Sequence, residues 1–321
     1  MNKELFFKLP SGLVFPRIIP GPMEGVMTDS FCTAAHRLEL CSGWITPYIR
    51  ITTNVPRDAK LKAFMSPFNN SGLPVIVQLM GVDADVMAAA AERLVQLGAS
   101  GINLNFACPS NQVVRSGTGG ALLRTTDKIM GITKCLKKAV GTASLSVKLR
   151  SGFNEWRECG DLLAALSDSE MLDFVAVHFR TVRELYRKID NTKERMAFIV
   201  ENCGDLPLIG SGDIFSVDDA DEILKKGCAG VMAARGLLKD PFLIRRIENL
   251  IDNNPVLFTK EQGCRIFFNT LLDISQERSR CIKKSKLLEY AGMIWGRSSD
   301  TFQNFCQMDD KDLEDFRFPP L

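Results

Sequence analysis

Residues 101–110 read GINLNFACPS. A short apolar run closes on two asparagines, and a cysteine and a proline follow. Proline disfavours the α conformation in the residue before it, so Cys108 belongs to an extended turn. A strand that ends in amides and a thiol raises the question of how many similar strands surround it.

There are seven more. Short β-rich runs occur at 17–23 (RIIPGPM), 43–51 (GWITPYIRI), 74–80 (PVIVQLM), 144–150 (SLSVKLR), 173–179 (DFVAVHF), 206–212 (LPLIGSG) and 230–236 (GVMAARG). Amphipathic helical patterns lie between them. Asp29 to Cys41 has Asp29 as its expected N-cap, Ala84 to Leu97 stops at Gly98, and Thr126 to Val140 stops at Gly141. Val217 to Lys226 follows a capping Ser216 and ends at Gly227. Glycine just past a helix is the usual stop signal. Strands alternating with helices predict a parallel α/β fold, and the length fits an eight-fold parallel (β/α)8 TIM barrel. A doubly wound open sheet is the alternative. After residue 254 the β-rich runs cease, and Lys260 to Trp295 reads helical. The expected division is a barrel over 1–254 and a small all-helical C-terminal domain over 255–321.

The 321 residues are 45% hydrophobic and 24% charged, with a formal net charge of +2. That is ordinary for a globular protein and neither announces nor excludes a nucleic-acid partner. The ten cysteines form no C-x-x-C pair, and there are two histidines. A zinc site is not expected, and His36, mid-helix, reads as structural. No run approaches the roughly 20 apolar residues of a membrane helix, and MNKELFFKLP lacks a signal-peptide pattern. The expectation is a cytoplasmic protein with reduced thiols.

In a barrel the chemistry gathers at the C-terminal strand ends. Those ends carry Pro22, Met23 and Glu24; Gln78; Asn105 and Cys108; Lys148 and Arg150; His178 and Arg180; Ser211, Gly212 and Asp213; and Arg235 and Gly236. Lys148 interrupts a strand with two buried faces, and a buried ammonium needs a partner. SGTGGALL (116–123) lacks the spacing and place of a dinucleotide loop. GSGDI (210–214) and AARG (233–236) close strands seven and eight, where barrels frequently bind phosphate through backbone N–H groups. Arg235 adds a charge-assisted donor there. A polar-edged ring with a phosphate tail, as in FMN, suits this combination.

These segments resemble the tRNA-dihydrouridine synthase family. The likeness rests on PGPMEGVMTDSF (20–31), VQLMG (77–81), NLNFACPS with GTGGALL, SVKLRSGF (146–153), VHFRT with Tyr186, IGSGDIFS (209–216) and VMAARG (231–236). The PMEGV form is similar to the bacterial C-type branch. The resemblance implies an FMN barrel that reduces a uridine of tRNA to 5,6-dihydrouridine with NADPH as reductant. Hydride would pass to C6, and Cys108 would protonate C5 as a general acid. Asn105, Tyr186 and Arg180 would contact the uridine. Pro22, Met23, Gln78, Lys148 and His178 would surround the flavin ring, with Ser211, Asp213, Ala234, Arg235 and Gly236 around its phosphate end. A monomer is expected.

The chain departs from the family pattern at Ala107, Phe179, Ser211 and Ala234. Phe179 is expected to place an aromatic ring at the barrel mouth. Two other readings therefore stand beside the first: an FMN barrel acting on a small molecule, in the manner of dihydroorotate dehydrogenase, and an RNA-binding paralogue without catalysis. For RNA, the expected basic surface is Arg278, Arg280, Lys283, Lys284 and Lys286. The acidic segment DDKDLEDF (309–316) is not expected to touch it.

Overall fold

The computed structural model describes residues 4–69, 72–277 and 282–319. The chain opens with the hairpin strands β1 (Phe6–Lys8) and β2 (Val14–Pro16). Then follow β3 (Ile18–Pro20), α1 (Asp29–Arg37), β4 (Trp44–Arg50), α2 (Asp58–Asn69), β5 (Val75–Met80), α3 (Ala84–Gln96), β6 (Gly101–Phe106) and the short α4 (Asn111–Arg115). Next come α5 (Thr126–Val140), β7 (Ser144–Arg150), α6 (Gly160–Asp168), β8 (Phe174–His178), α7 (Thr192–Asn202), β9 (Leu208–Ser211), α8 (Val217–Lys225), β10 (Gly230–Ala233) and α9 (Leu243–Asp252). Four helices close the chain: α10 (Lys260–Glu277), α11 (Lys284–Ile294), α12 (Asp300–Gln307) and α13 (Asp310–Asp315).

Strands β3 to β10 form one eight-stranded parallel sheet in the order β3-β10-β9-β8-β7-β6-β5-β4. Its edge strands β3 and β4 come into contact, so the sheet curls into a nearly closed barrel. This is the expected TIM architecture. The expected first helix begins one residue earlier than its capping signal suggested: Thr28, not Asp29, is the N-cap, and its hydroxyl accepts the Phe31 N–H. Ser216 and Asp219 form the full capping box of α8.

Two apolar layers hold the barrel. The larger lies between the sheet and the helices and extends without a break into α10 and α11. The smaller fills the barrel bottom with Ile19, Ile45, Ile76, Phe174, Ile209 and Met232. The hairpin β1–β2, which the sequence reading did not anticipate, plugs that end. Phe15 stacks on Phe174 with centroids 6.2 Å apart, and Phe7 meets Phe174 edge-on at 6.3 Å. The Ser11 N–H donates to the Asp173 carboxylate at 3.1 Å.

The C-terminal helices dock on α1. Phe31 packs against Phe267 and Tyr290. The Tyr290 hydroxyl donates to the Val26 carbonyl at 2.8 Å and shares a 2.7 Å bond with Thr28 Oγ1. Lys286 Nζ donates to the Gly25 carbonyl at 2.6 Å and to Glu289 at 2.7 Å. Two residues of the expected basic surface thus make contacts within the protein. Lys286 ties the helices to the barrel, and Lys284 is bound to the Met308 carbonyl. Lys283 is exposed, and Arg278 and Arg280 lie outside the described residues.

Removing the Tyr290 hydroxyl leaves Thr28 and the Val26 carbonyl short of a partner. Tyr290→Phe is expected to lower the unfolding free energy by about 1–2 kcal/mol, read from the urea midpoint.

Candidate active site

The C-terminal strand ends surround a cavity of about 360 Å³, within the usual size of small-molecule sites. It takes in every residue singled out from the sequence except Arg180: Pro22, Met23, Gln78, Asn105, Cys108, Lys148, His178, Tyr186, Ser211, Asp213, Ala234, Arg235 and Gly236 all line it. Side chains alternate across a strand, so Lys148 and Arg150 both turn inward from β7, and His178 turns inward from β8. The parallel register sets Arg150 beside His178, and His178 beside Ser211.

A chain of buried amides crosses three of these strands. Asn103 Nδ2 donates to Ser146 Oγ at 2.9 Å, and Gln78 Nε2 donates to Asn103 Oδ1 at 2.8 Å. Asn105 Nδ2 then donates to Gln78 Oε1 at 2.8 Å. Asn105 Oδ1 accepts the N–H groups of Ala107 and Cys108, both at 3.0 Å. The amide therefore folds the turn that carries the thiol. Cys108 itself is half-buried.

Arg150 is buried and braces the same turn from the other side. Its guanidinium donates to the carbonyls of Ala107 (3.0 Å), Thr181 (2.8 Å) and Leu185 (2.7 Å) and lies over the Tyr186 ring. Tyr186 is 56% exposed, with Arg235 also over its ring, 4.7 Å from the centroid. Burial lowers the Arg150 pKa to about 10. Burial, reinforced by Arg150, lowers that of Lys148 to about 8. Among the described residues Lys148 has no hydrogen bond or ion pair.

Burial, followed by the neighbouring Arg150, Lys148, Arg180 and Arg235, holds His178 well below its ordinary pKa. The imidazole is therefore neutral. Its Nδ1 accepts the Arg180 N–H at 3.3 Å, which leaves the proton on Nε2.

At the far end, Asp213 adopts a left-handed φ of 48°, a conformation Asp tolerates better than most residues. Its carboxylate is held by Arg180 and by Arg235, the latter at 2.7 Å. Gly236 packs backbone to backbone on this loop, and a Cβ there would stand 2.0 Å from the Ile214 carbonyl oxygen. Arg180, expected to contact substrate, is 3% exposed and stands outside the cavity wall. It acts as a brace, fixing Asp213 and donating to the Arg187 carbonyl.

The expected aromatic ring at the mouth is also corrected. His178 faces inward, so Phe179 faces outward. It is 1% exposed in the layer behind the sheet, seated against Gly210. The Ala234 methyl packs on Gly21, the one side chain that leaves room for it.

Sequence reasoning missed Tyr48, Phe215 and the lining role of Arg150. Tyr48 was hidden by an irregularity. Pro47 has no N–H to give to the ladder, the Gln78 N–H donates to the Thr46 side-chain Oγ1 at 3.1 Å, and the register shifts between Ile45 and Tyr48. Such bulges re-aim side chains, so Pro47 and Tyr48 both reach the cavity.

The dihydrouridine synthase family model matches residues 19–288. A tRNA-dihydrouridine(16) synthase of Neisseria meningitidis is 30% identical over 289 residues, covering 87% of this chain and 85% of that protein. One from Haemophilus influenzae is 31% identical over 258 residues, covering 74% and 79%. Among solved structures, a variant of NCR from Zymomonas mobilis aligns with a TM-score of 0.58 at 17% identity, covering 80% of this chain and 93% of that one. Morphinone reductase in complex with tetrahydroNAD aligns at 0.54 and 12% identity, covering 76% and 89%. At such identities the structural likeness concerns the fold alone.

A histidine held neutral has a stability consequence. The unfolded chain takes up the proton near pH 6.5, whereas the folded chain resists it. Stability therefore falls as pH drops below that value. Between about pH 7 and about pH 5.5 this loss is expected to be roughly 1 kcal/mol smaller in His178→Gln than in the unaltered protein, measured by urea unfolding at each pH.

Proposed function

The chain belongs to the dihydrouridine synthase family, and from the cavity it encloses we propose that it reduces uridine 16 of tRNA to 5,6-dihydrouridine, using FMN as cofactor and NADPH as reductant. The observation that carries this reading is Cys108, held in an extended turn by Asn105 and Arg150 at the edge of a cavity lined by Lys148 and His178.

The residues present fit a flavin. Lys148 offers an ammonium with no carboxylate to neutralise it, His178 offers a neutral Nε2–H, and Gln78 is fixed beside them. Such donors suit the polar edge of an electron-accepting ring. Pro22 and Met23 supply the apolar wall. The backbone cradle of Gly212, Ala234 and Gly236, with Arg235 beside it, suits a phosphate. When bound and reduced, the flavin would supply the hydride.

The protein's part is positioning and proton delivery. Asn105 and Arg150 fix the Cys108 turn, so the thiol delivers its proton to C5 from the face opposite the hydride. Tyr186, exposed at the rim and backed by Arg150 and Arg235, lines the pocket for a base swung out of its stack. Residues 255–321 form the helical domain that holds the tRNA, and the protein works as a cytoplasmic monomer. Among the described residues no helix is long and apolar enough to cross a membrane. Phe179 and Ala234 do not occlude the cavity.

Dihydrouridine-free tRNA is incubated with the protein, FMN and NADPH, and nucleosides are quantified by mass spectrometry. Dihydrouridine at position 16 is the expected product. Cys108→Ala should retain FMN and lose at least about 100-fold in rate; an undiminished rate would remove the proton-donor role.

A further inference from the structure

Each turnover assigned to Cys108 leaves a thiolate that must regain a proton before the next. The cavity walls nearest the thiol offer few sources. Lys148 and Arg150 face it from β7 as cations that stabilise a thiolate. Tyr48 is different. The shift at Thr46–Pro47 turns its phenol into the cavity, and the hydroxyl has no hydrogen-bond partner among the described residues. The Cys108 thiol likewise has none among the described residues, and the two groups open on the same cavity.

We propose that Tyr48 is the proton relay that restores Cys108 after each turnover, passing inward a proton taken from the solvent side of the cavity through Glu24. The proposal rests on the reading of Cys108 as the proton donor. In the step, the Tyr48 O–H bond breaks as the S–H bond forms on Cys108. The same phenol oxygen accepts a proton from the Glu24 carboxylic acid, which is recharged from water. No electrons move.

The groups facing the phenol are Glu24 after β3, Arg50 on its own strand and Cys108 after β6. Burial first, then an ionised Cys108 and Glu24, push the Tyr48 pKa up. The raised pKa makes the phenol a weaker acid on its own, so its transfer to Cys108 is coupled to the proton it takes from Glu24. Partial shielding of the Glu24 carboxyl raises its pKa, so its acid form persists to higher pH than that of a fully open carboxylate. Glu24 is itself exposed at the mouth.

Tyr48→Phe removes the hydroxyl and keeps the ring. The first readout needs neither flavin nor tRNA: alkylation of Cys108 by iodoacetamide at fixed pH, followed by peptide mass spectrometry with the exposed Cys306 as internal reference. Thiolates are the reactive species, and a hydrogen bond to a charged group contributes enough for about a tenfold effect. Alkylation of Cys108 is expected to fall about tenfold in Tyr48→Phe, with Cys306 unchanged. The second readout compares the first turnover of prereduced enzyme on tRNA with the steady state. Later turnovers should slow far more than the first. An unchanged Cys108 alkylation rate overturns the proposal, as does an equal loss in first and later turnovers. If the unaltered protein makes no dihydrouridine, the function proposed above has failed, and alkylation still decides whether Tyr48 serves Cys108.

Discussion

Buried amides must find partners, and that requirement organises the catalytic end of this barrel. Ser146, Asn103, Gln78 and Asn105 stand on three adjacent strands and satisfy one another in sequence. The last member has one oxygen left, and it spends both lone pairs on the N–H groups of residues 107 and 108. The position of the thiol is therefore set by strand register. A slip of one residue in β6 would turn Asn103 and Asn105 away from Gln78 and strand several polar groups in an apolar interior. The chemistry depends on the sheet being right, and the sheet is penalised heavily for being wrong.

The cavity is electrically lopsided. Lys148, Arg150 and Arg235 lie on the side built by β7, β8 and β10, and their combined field, with burial, keeps His178 neutral. Among the described residues one acid pairs with a cation of this set: Asp213, shared between Arg180 and Arg235 at a left-handed bend. Burying cations without matching anions is costly. Among the described residues Lys148 is a cation of this set without a carboxylate partner, and burial lowers its pKa to about 8. The opposite side, from β3 and β4, carries Glu24 and Tyr48, groups that give protons.

Much of this was legible in the sequence because parallel strands end where chemistry begins. Listing polar strand ends found Gln78, Asn105, Lys148, His178 and Asp213 without any knowledge of contacts. The failures have distinct causes. Tyr48 follows a proline whose missing N–H shifts the register, and strict alternation cannot anticipate that shift. Phe179 was placed at the mouth although its neighbour His178 already faces inward; alternation contained the answer and position along the strand obscured it. Arg180 sits at a strand end, yet its guanidinium runs behind the wall to Asp213, and residue type alone does not reveal direction. Lys284 and Lys286 looked like a basic face because sequence shows charge but not the carbonyls that cap it. The strands of the β1–β2 plug are three residues each, too short to register as a period.

The segment from Pro22 to Thr28 joins two of these themes. Pro22, Met23 and Glu24 line the cavity; just after them, Gly25 and Val26 accept hydrogen bonds from Lys286 and Tyr290, and Thr28 shares one with the Tyr290 hydroxyl. One short stretch of backbone is thus both a wall of the site and the anchor of the C-terminal helices. A shift of α11 against the barrel cannot occur without dragging the wall beside Met23 and the carboxyl of Glu24. Because the apolar layer is continuous from the barrel into α10 and α11, such a shift would also open packed core. The helices and the cavity are consequently held in one fixed relation, which is what a site needs if a large folded substrate is to be gripped by one part of the chain and altered by another.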